Sequence, residues 1–204
     1  HWIKMASSLK FELFFIYLFL PSFILFFQSK ILIFILLYLV FIFTFLRLRK
    51  EKSFKSRALT KKINWKISFI FFLVFLIFGY FYVLFYDPTH LFSFPKNNFR
   101  LWVIVMFIYP FFSVIPQEVV YRVYFYQRYK KLFGSNLLLL TLLNLFFFSF
   151  AHIVFNNPHA ILITAIASPI FSYLYIKESF FTCVLVHSLG GQIIFTLGLG
   201  RYFY

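Results

Sequence analysis

Glu118, Arg122, His152 and His187 are the ionisable side chains that fall well inside the apolar runs of this 204-residue sequence. Such groups cost a few kcal/mol each in hydrocarbon, so they are rare there and face a partner or a cavity. Glu118 and Arg122 are four residues apart, which places them one helical turn from each other on one face, within reach of an ion pair. His152 and His187 add two imidazoles on two further stretches, and a neutral imidazole is both a general base near neutral pH and the commonest metal ligand. One carboxylate and two imidazoles suffice for a three-ligand zinc site with a position open to water. Each group also has a plainer reading. The acid and the base make a structural bridge, and each His is a hydrogen-bonded packing residue.

The elements that must position these groups follow from composition. Apolar residues make up 63% of the chain and charged ones 12%, with 37 Phe and 14 Tyr. A water-soluble domain carries about a quarter of its residues charged, and disordered chains are poor in aromatics. One cysteine, Cys183, supports neither a disulfide framework nor a Cys-rich zinc module. Stretches near 11–28, 31–46, 67–86, 101–121, 138–156, 160–176 and 179–199 approach the roughly 20 apolar residues that cross a bilayer. The expected fold is all-α, a polytopic transmembrane bundle of about seven spans. Residues 1–66 hold spans one and two with a basic loop, and residues 67–204 hold spans three to seven.

The net charge of +15 is an orientation signal rather than a nucleic-acid footprint. Segment 47–66 holds nine cations, Lys52, Lys55 and Arg57 among them, against Glu51 alone. The positive-inside rule makes it cytoplasmic. With seven spans the N-terminus is then inside, and sixteen of the 20 Lys and Arg lie on the cytoplasmic side. No nucleic-acid partner is expected, the bilayer is, and the cell membrane is the expected location. Glu12 and Glu178 sit at span edges, where they reach interfacial water. Tyr121, Tyr124, Tyr126 and Tyr129 beside Arg128, Lys130 and Lys131 read as an interfacial aromatic belt. Pro110, Pro116 and Pro169 are expected to kink or unwind their helices, and Asn156, Asn157 and Pro158 to form an outer turn. Fourteen residues of helix rise about 21 Å. Glu118 and His152 therefore meet only if the two helices are offset, most simply with span four running on as a helix through Tyr124 to Tyr129 and span five beginning nearer Leu140.

Three segments now stand together: Pro116-Gln117-Glu118-Val119-Val120-Tyr121-Arg122, Phe148-Ser149-Phe150-Ala151-His152 and His187-Ser188-Leu189-Gly190-Gly191. In order and placement they resemble the EExxxR, FxxxH and HxxxN motifs of the CPBP intramembrane metalloproteases, the family of CAAX prenyl proteases and bacterial Abi proteins. The resemblance covers about residues 100–200 and implies a catalytic core there. It implies a metal-dependent endopeptidase, with zinc or another divalent ion, acting on a membrane-associated peptide or protein. It also implies site roles. Glu118 and Arg122 take the paired positions, His152 and His187 are the site imidazoles, and Glu118, His152 and His187 form the ligand set. Gln117 stands where the family has its water-activating Glu, and an amide accepts no proton. Gly191 stands at the Asn position, with Gln192 one residue later.

Three functions fit these residues. In the first, the chain is a working protease in which Glu118 serves as base or ligand, Gln117 orients water or substrate, and Gln192 supplies the missing amide after a local shift allowed by Gly190 and Gly191. In the second, the same scaffold binds hydrophobic peptides without cutting them. In the third, the intramembrane polar groups line a transport or proton path, although the sequence shows no repeat symmetry.

Overall fold

The computed structural model describes residues 2–51 and 57–203, with side chains from Ala6 to Glu51 and from Leu59 to Phe203. Lys52 and Lys55 of the basic loop, and the side chains of Lys4 and Arg57, lie outside the described residues. Seven helices are long and apolar enough to cross a membrane: α1 Ala6–Phe27, α2 Lys30–Lys50, α3 Trp65–Tyr86, α4 Phe99–Phe133, α5 Leu137–Phe155, α6 Pro158–Glu178 and α7 Phe180–Leu197. The described residues contain no strand.

Four of these helices begin at a polar residue that turns its side chain onto the first free amides, as helix starts require. Ser29 accepts from the Leu32 N–H, Asn64 from Ile67, Asn136 from Leu139 and Ser179 from Thr182. The caps fix the starts within otherwise featureless Leu- and Phe-rich runs. They also place the start of α5 at Leu137 rather than nearer Leu140. Helix α4 does run on past Tyr129, as the spacing required. Its 35 residues span about 52 Å, well beyond the roughly 30 Å of hydrocarbon.

The chain divides into two compact units, each discontinuous in sequence: His1–Lys55 with Gln117–Ser172, and Ser56–Pro116 with Tyr173–Tyr204. In the first, Tyr17 of α1 is the centre of the core. It is fully buried and packs edge-on against Tyr121, Phe125 and Tyr129, with ring centroids 5.3–5.7 Å away. Its hydroxyl donates to the Val120 carbonyl at 2.8 Å. That carbonyl lies in a π-helical segment of α4, Val119–Tyr124, where the wider turn offsets the backbone ladder. The neighbouring Tyr121 carbonyl accepts from the Asn144 amide of α5, and Asn144 accepts in turn from the Ser172 hydroxyl of α6 at 3.1 Å.

Asn144 is therefore a buried tie among three helices. Asn144→Leu, close in size, strands a carbonyl and a hydroxyl, and is expected to lower stability by about 1–3 kcal/mol. The fall should appear as a lower thermal midpoint of the detergent-solubilised protein.

The tyrosines of α4 are not an interfacial belt. Tyr121, Tyr124, Tyr126 and Tyr129 are all buried: Tyr121 packs on Tyr17 and Phe148, Tyr126 meets the Thr141 hydroxyl, and Tyr124 and Tyr129 meet Glu12 of α1. Glu12 accepts from the Tyr124 hydroxyl at 2.6 Å, from the Tyr129 hydroxyl at 3.2 Å and from the Arg128 guanidinium at 3.1 and 3.2 Å. Arg128 also donates to Glu51 at 3.2 Å, as does Lys131 at 2.9 Å. An acid placed by sequence in interfacial water is instead the hub of an ionic cluster. That cluster binds the start of α1, the residue following α2 and the end of α4 at one end of the unit.

In the second unit α3 and α7 approach closely at Gly79, whose missing Cβ would lie 3.0 Å from the Leu197 side chain. Asn64 donates to Glu178 at 2.9 Å and its N–H to Thr182 at 2.9 Å. Beyond α7, Gly198 adopts φ +97°, where a Cβ would lie 2.0 Å from the His90 carbonyl oxygen. Only glycine suits that turn. It leads to a cluster in which Asp87 meets His90 at 2.6 Å and Arg201 at 3.1 Å. Burial, then the Asp87 carboxylate, raises the Tyr202 phenol above its ordinary range, which keeps it a donor to Asp87.

Candidate active site

Helix α4 carries the first motif between two π-helical segments, Pro110–Val114 and Val119–Tyr124, with one α-helical turn, Ile115–Glu118, between them. Proline explains why the regular ladder yields here. Pro110 and Pro116 have no N–H to give the carbonyl four residues back, and π-bulges recur at functional positions.

The first unit brings four of the expected residues together in two groups. Glu118 and Arg122 are both 0% exposed, with Arg122 Nε 3.6 Å from Glu118 Oε2. At that separation the contact is an ion pair rather than a short hydrogen bond. The guanidinium is held further by ring faces, 4.4 Å above Phe148 and 5.6 Å from Phe171, since the ring quadrupole attracts a cation. Phe148 is the first residue of the second motif, and its ring also packs against His152, 4.8 Å between centroids. The FxxxH spacing thus sets one aromatic between the Arg of α4 and the His of α5.

Gln117 and His152 form the other group. Both line a cavity of about 100 Å³ in this unit, walled by Ile16 and Ile24 of α1, Leu36 and Val40 of α2, and Tyr121. His152 closes the α-helical part of α5 with φ −82° and ψ 0°. Its Nδ1 lies 2.7 Å from the Phe148 carbonyl oxygen. A carbonyl only accepts, so Nδ1 carries the proton, and the acceptor of the neutral ring is Nε2. Nothing in the sequence of spans one and two points to chemistry, yet they build most of this wall. Their periodicity shows only that they are apolar, and packing against the motif helix is not a local property.

The second unit holds the third motif. His187 of α7 is buried, and its ring meets Tyr109 edge-on at 6.5 Å. Gly190 and Gly191 admit neighbouring rings: a Cβ on Gly190 would lie 3.0 Å from Phe75, and one on Gly191 would lie 2.2 Å from Tyr109. Gln192 donates its amide to the Met106 carbonyl at 2.8 Å. That is the carbonyl left without its usual donor by Pro110, so the amide of Gln192 is committed to repairing α4. The Gln192 carbonyl accepts from Thr196 at 2.7 Å, and Thr196 accepts from the Trp102 indole at 3.1 Å.

A catalytic zinc takes three protein ligands and a water. Among the described residues there is no group of three or more His, Cys, Asp or Glu side chains that could hold a metal ion. In the first unit Glu118 is turned to Arg122, and His152 shares its cavity with an amide. Within the first unit alone these side chains fall short of a three-ligand set, and no chemical step is assigned to a metal here.

Residues 99–190 match the family model described as Type II CAAX prenyl endopeptidase Rce1-like. The match runs from the start of α4 to the third motif and bears out the resemblance drawn from the motifs over that segment. No curated protein and no solved structure matches the chain.

Proposed function

We propose that this multi-pass protein is an intramembrane endopeptidase whose substrate is a membrane-associated peptide or protein. The match to a protease family over residues 99–190 supports this reading, and the observation that carries it is the shared cavity. Gln117 and His152, from the first and second motifs, converge on one small space whose other walls, Tyr121 apart, are apolar, the pattern of a few placed polar groups in an apolar lining.

Hydrolysis moves one water oxygen onto the peptide carbonyl carbon, breaks the C–N bond and delivers a proton to the leaving amine. His152 Nε2 is the acceptor able to take the proton from water or to hold a divalent ion, and either role uses the same lone pair. The Gln117 amide orients water or the scissile carbonyl. Glu118, neutralised by Arg122, fixes the helix turn from which Gln117 projects. The basic segment 47–66 supports an N-terminus on the inside, with the ionic cluster of Glu12, Arg128, Glu51 and Lys131 on that side.

The test is cleavage of a quenched, prenylated CAAX-type peptide by the full chain in lipid nanodiscs, with metal analysis of the same preparation. Cleavage by the parent supports the protease reading, and about one bound zinc per chain assigns His152 to ligation. Gln117→Glu keeps the shape and adds a proton acceptor. It is expected to raise the rate by about 10²-fold, the lower end of what a positioned base contributes. An inactive parent that gains cleavage through this change identifies a peptide-binding scaffold. A parent that neither cleaves nor binds the peptide, but passes protons into vesicles in a Glu118-dependent manner, identifies the transport reading.

A further inference from the structure

We infer that the groove between α3 and α7 holds an acyl chain of an anionic phospholipid, with Lys96 on the phosphate of its headgroup. The inference concerns the second unit alone and does not depend on the protease reading. The two helices run parallel, since Phe75 meets Gly190 and Gly79 meets Ile193 and Leu197. Beside that seam they leave an open groove of about 510 Å³, walled by Phe72, Leu76 and Phe81 of α3 and by Leu189 and Ile193 of α7. Gln192 and Thr196 also line it. The Gln192 amide donates to Met106, however, and the Thr196 hydroxyl is taken up by Trp102 and the Gln192 carbonyl. The Tyr80 phenol is the third polar group of the lining, so what fits inside is hydrocarbon.

From Phe72 to Phe81 the α3 wall rises about 14 Å, half of the roughly 30 Å of hydrocarbon and so the depth of one leaflet. One end of the groove lies at Leu197, where α7 stops, and Phe92 forms part of its wall. Phe92 holds φ +59°, a left-handed backbone that a bulky residue adopts only at a cost. Its N–H donates to the Leu197 carbonyl at 3.3 Å, which fixes it to the end of α7. The short helix Ser93–Asn97 starts from it and brings the Lys96 ammonium to 5.8 Å from the Phe92 ring centroid. One strained residue thus supplies a wall of the groove and sets a cation over that wall. Arg201 is committed to Asp87, whereas no carboxylate among the described residues pairs with Lys96.

Apolar walls alone do not select a lipid, because bilayer chains are as apolar as Phe and Leu and the hydrophobic drive between them is absent. Any acyl chain fills such a groove. What distinguishes one lipid from another is the charge at its mouth, and a single Lys near the membrane surface favours an anionic lipid by about fivefold. A free phosphate shares the headgroup chemistry but leaves the apolar walls unfilled. The groove and the cation are matched together by a molecule with one anionic head and a long chain.

The test uses the full chain with Trp2→Phe and Trp65→Phe, which leaves Trp102 as the reporter, its indole N–H donating to Thr196 of the groove wall at 3.1 Å. Phosphatidylglycerol or phosphatidylcholine with brominated chains is titrated into phosphatidylcholine nanodiscs, where bromine quenches the indole on close approach. The expected result is half-quenching at a mole fraction about fivefold lower for phosphatidylglycerol. The difference should vanish in Lys96→Gln and persist in Lys96→Arg. Native mass spectrometry of the unsubstituted chain gives a second readout. Phosphatidylglycerol should stay bound where phosphatidylcholine dissociates, and Leu76→Trp, which fills the groove, should retain neither. Equal quenching by the two lipids, or a preference that survives Lys96→Gln, overturns the assignment. Loss of the preference on adding inorganic phosphate at constant ionic strength assigns Lys96 to a free anion and overturns it as well. Displacement of phosphatidylglycerol by a prenylated CAAX-type peptide does the same, by making the groove a subsite for substrate.

Discussion

Arg122→Met should destabilise the protein by about 3–5 kcal/mol, the cost of leaving a buried charge without its partner, and Glu118→Gln in the same chain should recover most of that loss. Both side chains are 0% exposed and 3.6 Å apart, so neither has water to fall back on once the other is removed. The two single changes are not equivalent. Glu118→Gln leaves a guanidinium that still has the Phe148 face at 4.4 Å, whereas Arg122→Met removes the cation paired with a fully buried carboxylate. The arginine change is therefore the more damaging one. Arg122→Lys keeps the charge but gives up the planar stack over Phe148 and Phe171, and belongs between the parent and Arg122→Met. Unfolding midpoints of the four variants in one detergent measure this order. A loss below about 1 kcal/mol for Arg122→Met would mean that the pair is solvated. The double variant also separates architecture from chemistry. If it folds yet fails to cleave, the pair does more than hold the turn.

How much of this was legible in the sequence depends on the range of the interaction involved. The seven spans were, because bilayer thickness demands a run of apolar residues that a window detects without knowing the fold. The turn at Asn156 was as well, where the asparagine adopts φ +49° as asparagine readily does. Glu118 with Arg122 and His152 with Phe148 were visible because each pair lies within one helical turn. The partners of Glu12 were not. An acid twelve residues from the start of the chain pairs with Arg128, Tyr124 and Tyr129 more than a hundred residues on, and at a span edge water is the default companion. Asn144 carried a signal that could have been taken up, since a lone amide amid Leu and Phe must find hydrogen-bond partners in hydrocarbon. Its partner, a backbone carbonyl in a π segment, has no sequence signature. The aromatic belt was misread for a related reason. Tyrosine beside lysine and arginine marks a membrane interface on average, but here the half-buried Glu12 offers two of the hydroxyls a better acceptor.

His152→Ala is expected to lower kcat by about 10²–10⁴-fold, the range of a positioned general base, while the unfolding midpoint stays close to the parent's. The side chain is half-buried at the rim of the Gln117 cavity, so its removal opens little of the core. Its position is nonetheless over-determined. The Phe148 carbonyl fixes the tautomer through Nδ1 at 2.7 Å, and the Phe148 and Phe155 rings, 4.8 and 5.8 Å away, set the plane of the imidazole. Phe148 therefore acts on His152 through two routes, and substitution separates them. Phe148→Leu keeps the backbone carbonyl and hence the tautomer, but removes the ring that lies against both His152 and Arg122. It is expected to cost about tenfold in kcat together with some stability, through looser placement rather than lost chemistry. Nitrogen-resolved NMR of the His152 ring distinguishes the two effects: Nδ1 stays protonated in Phe148→Leu, while the ring becomes mobile. If His152→Ala retains full cleavage, the proton is taken elsewhere and the cavity shared with Gln117 is a binding pocket only. If Phe148→Leu matches His152→Ala in kcat with an unaltered ring spectrum, then holding Arg122 is the larger part of what the second motif's phenylalanine does.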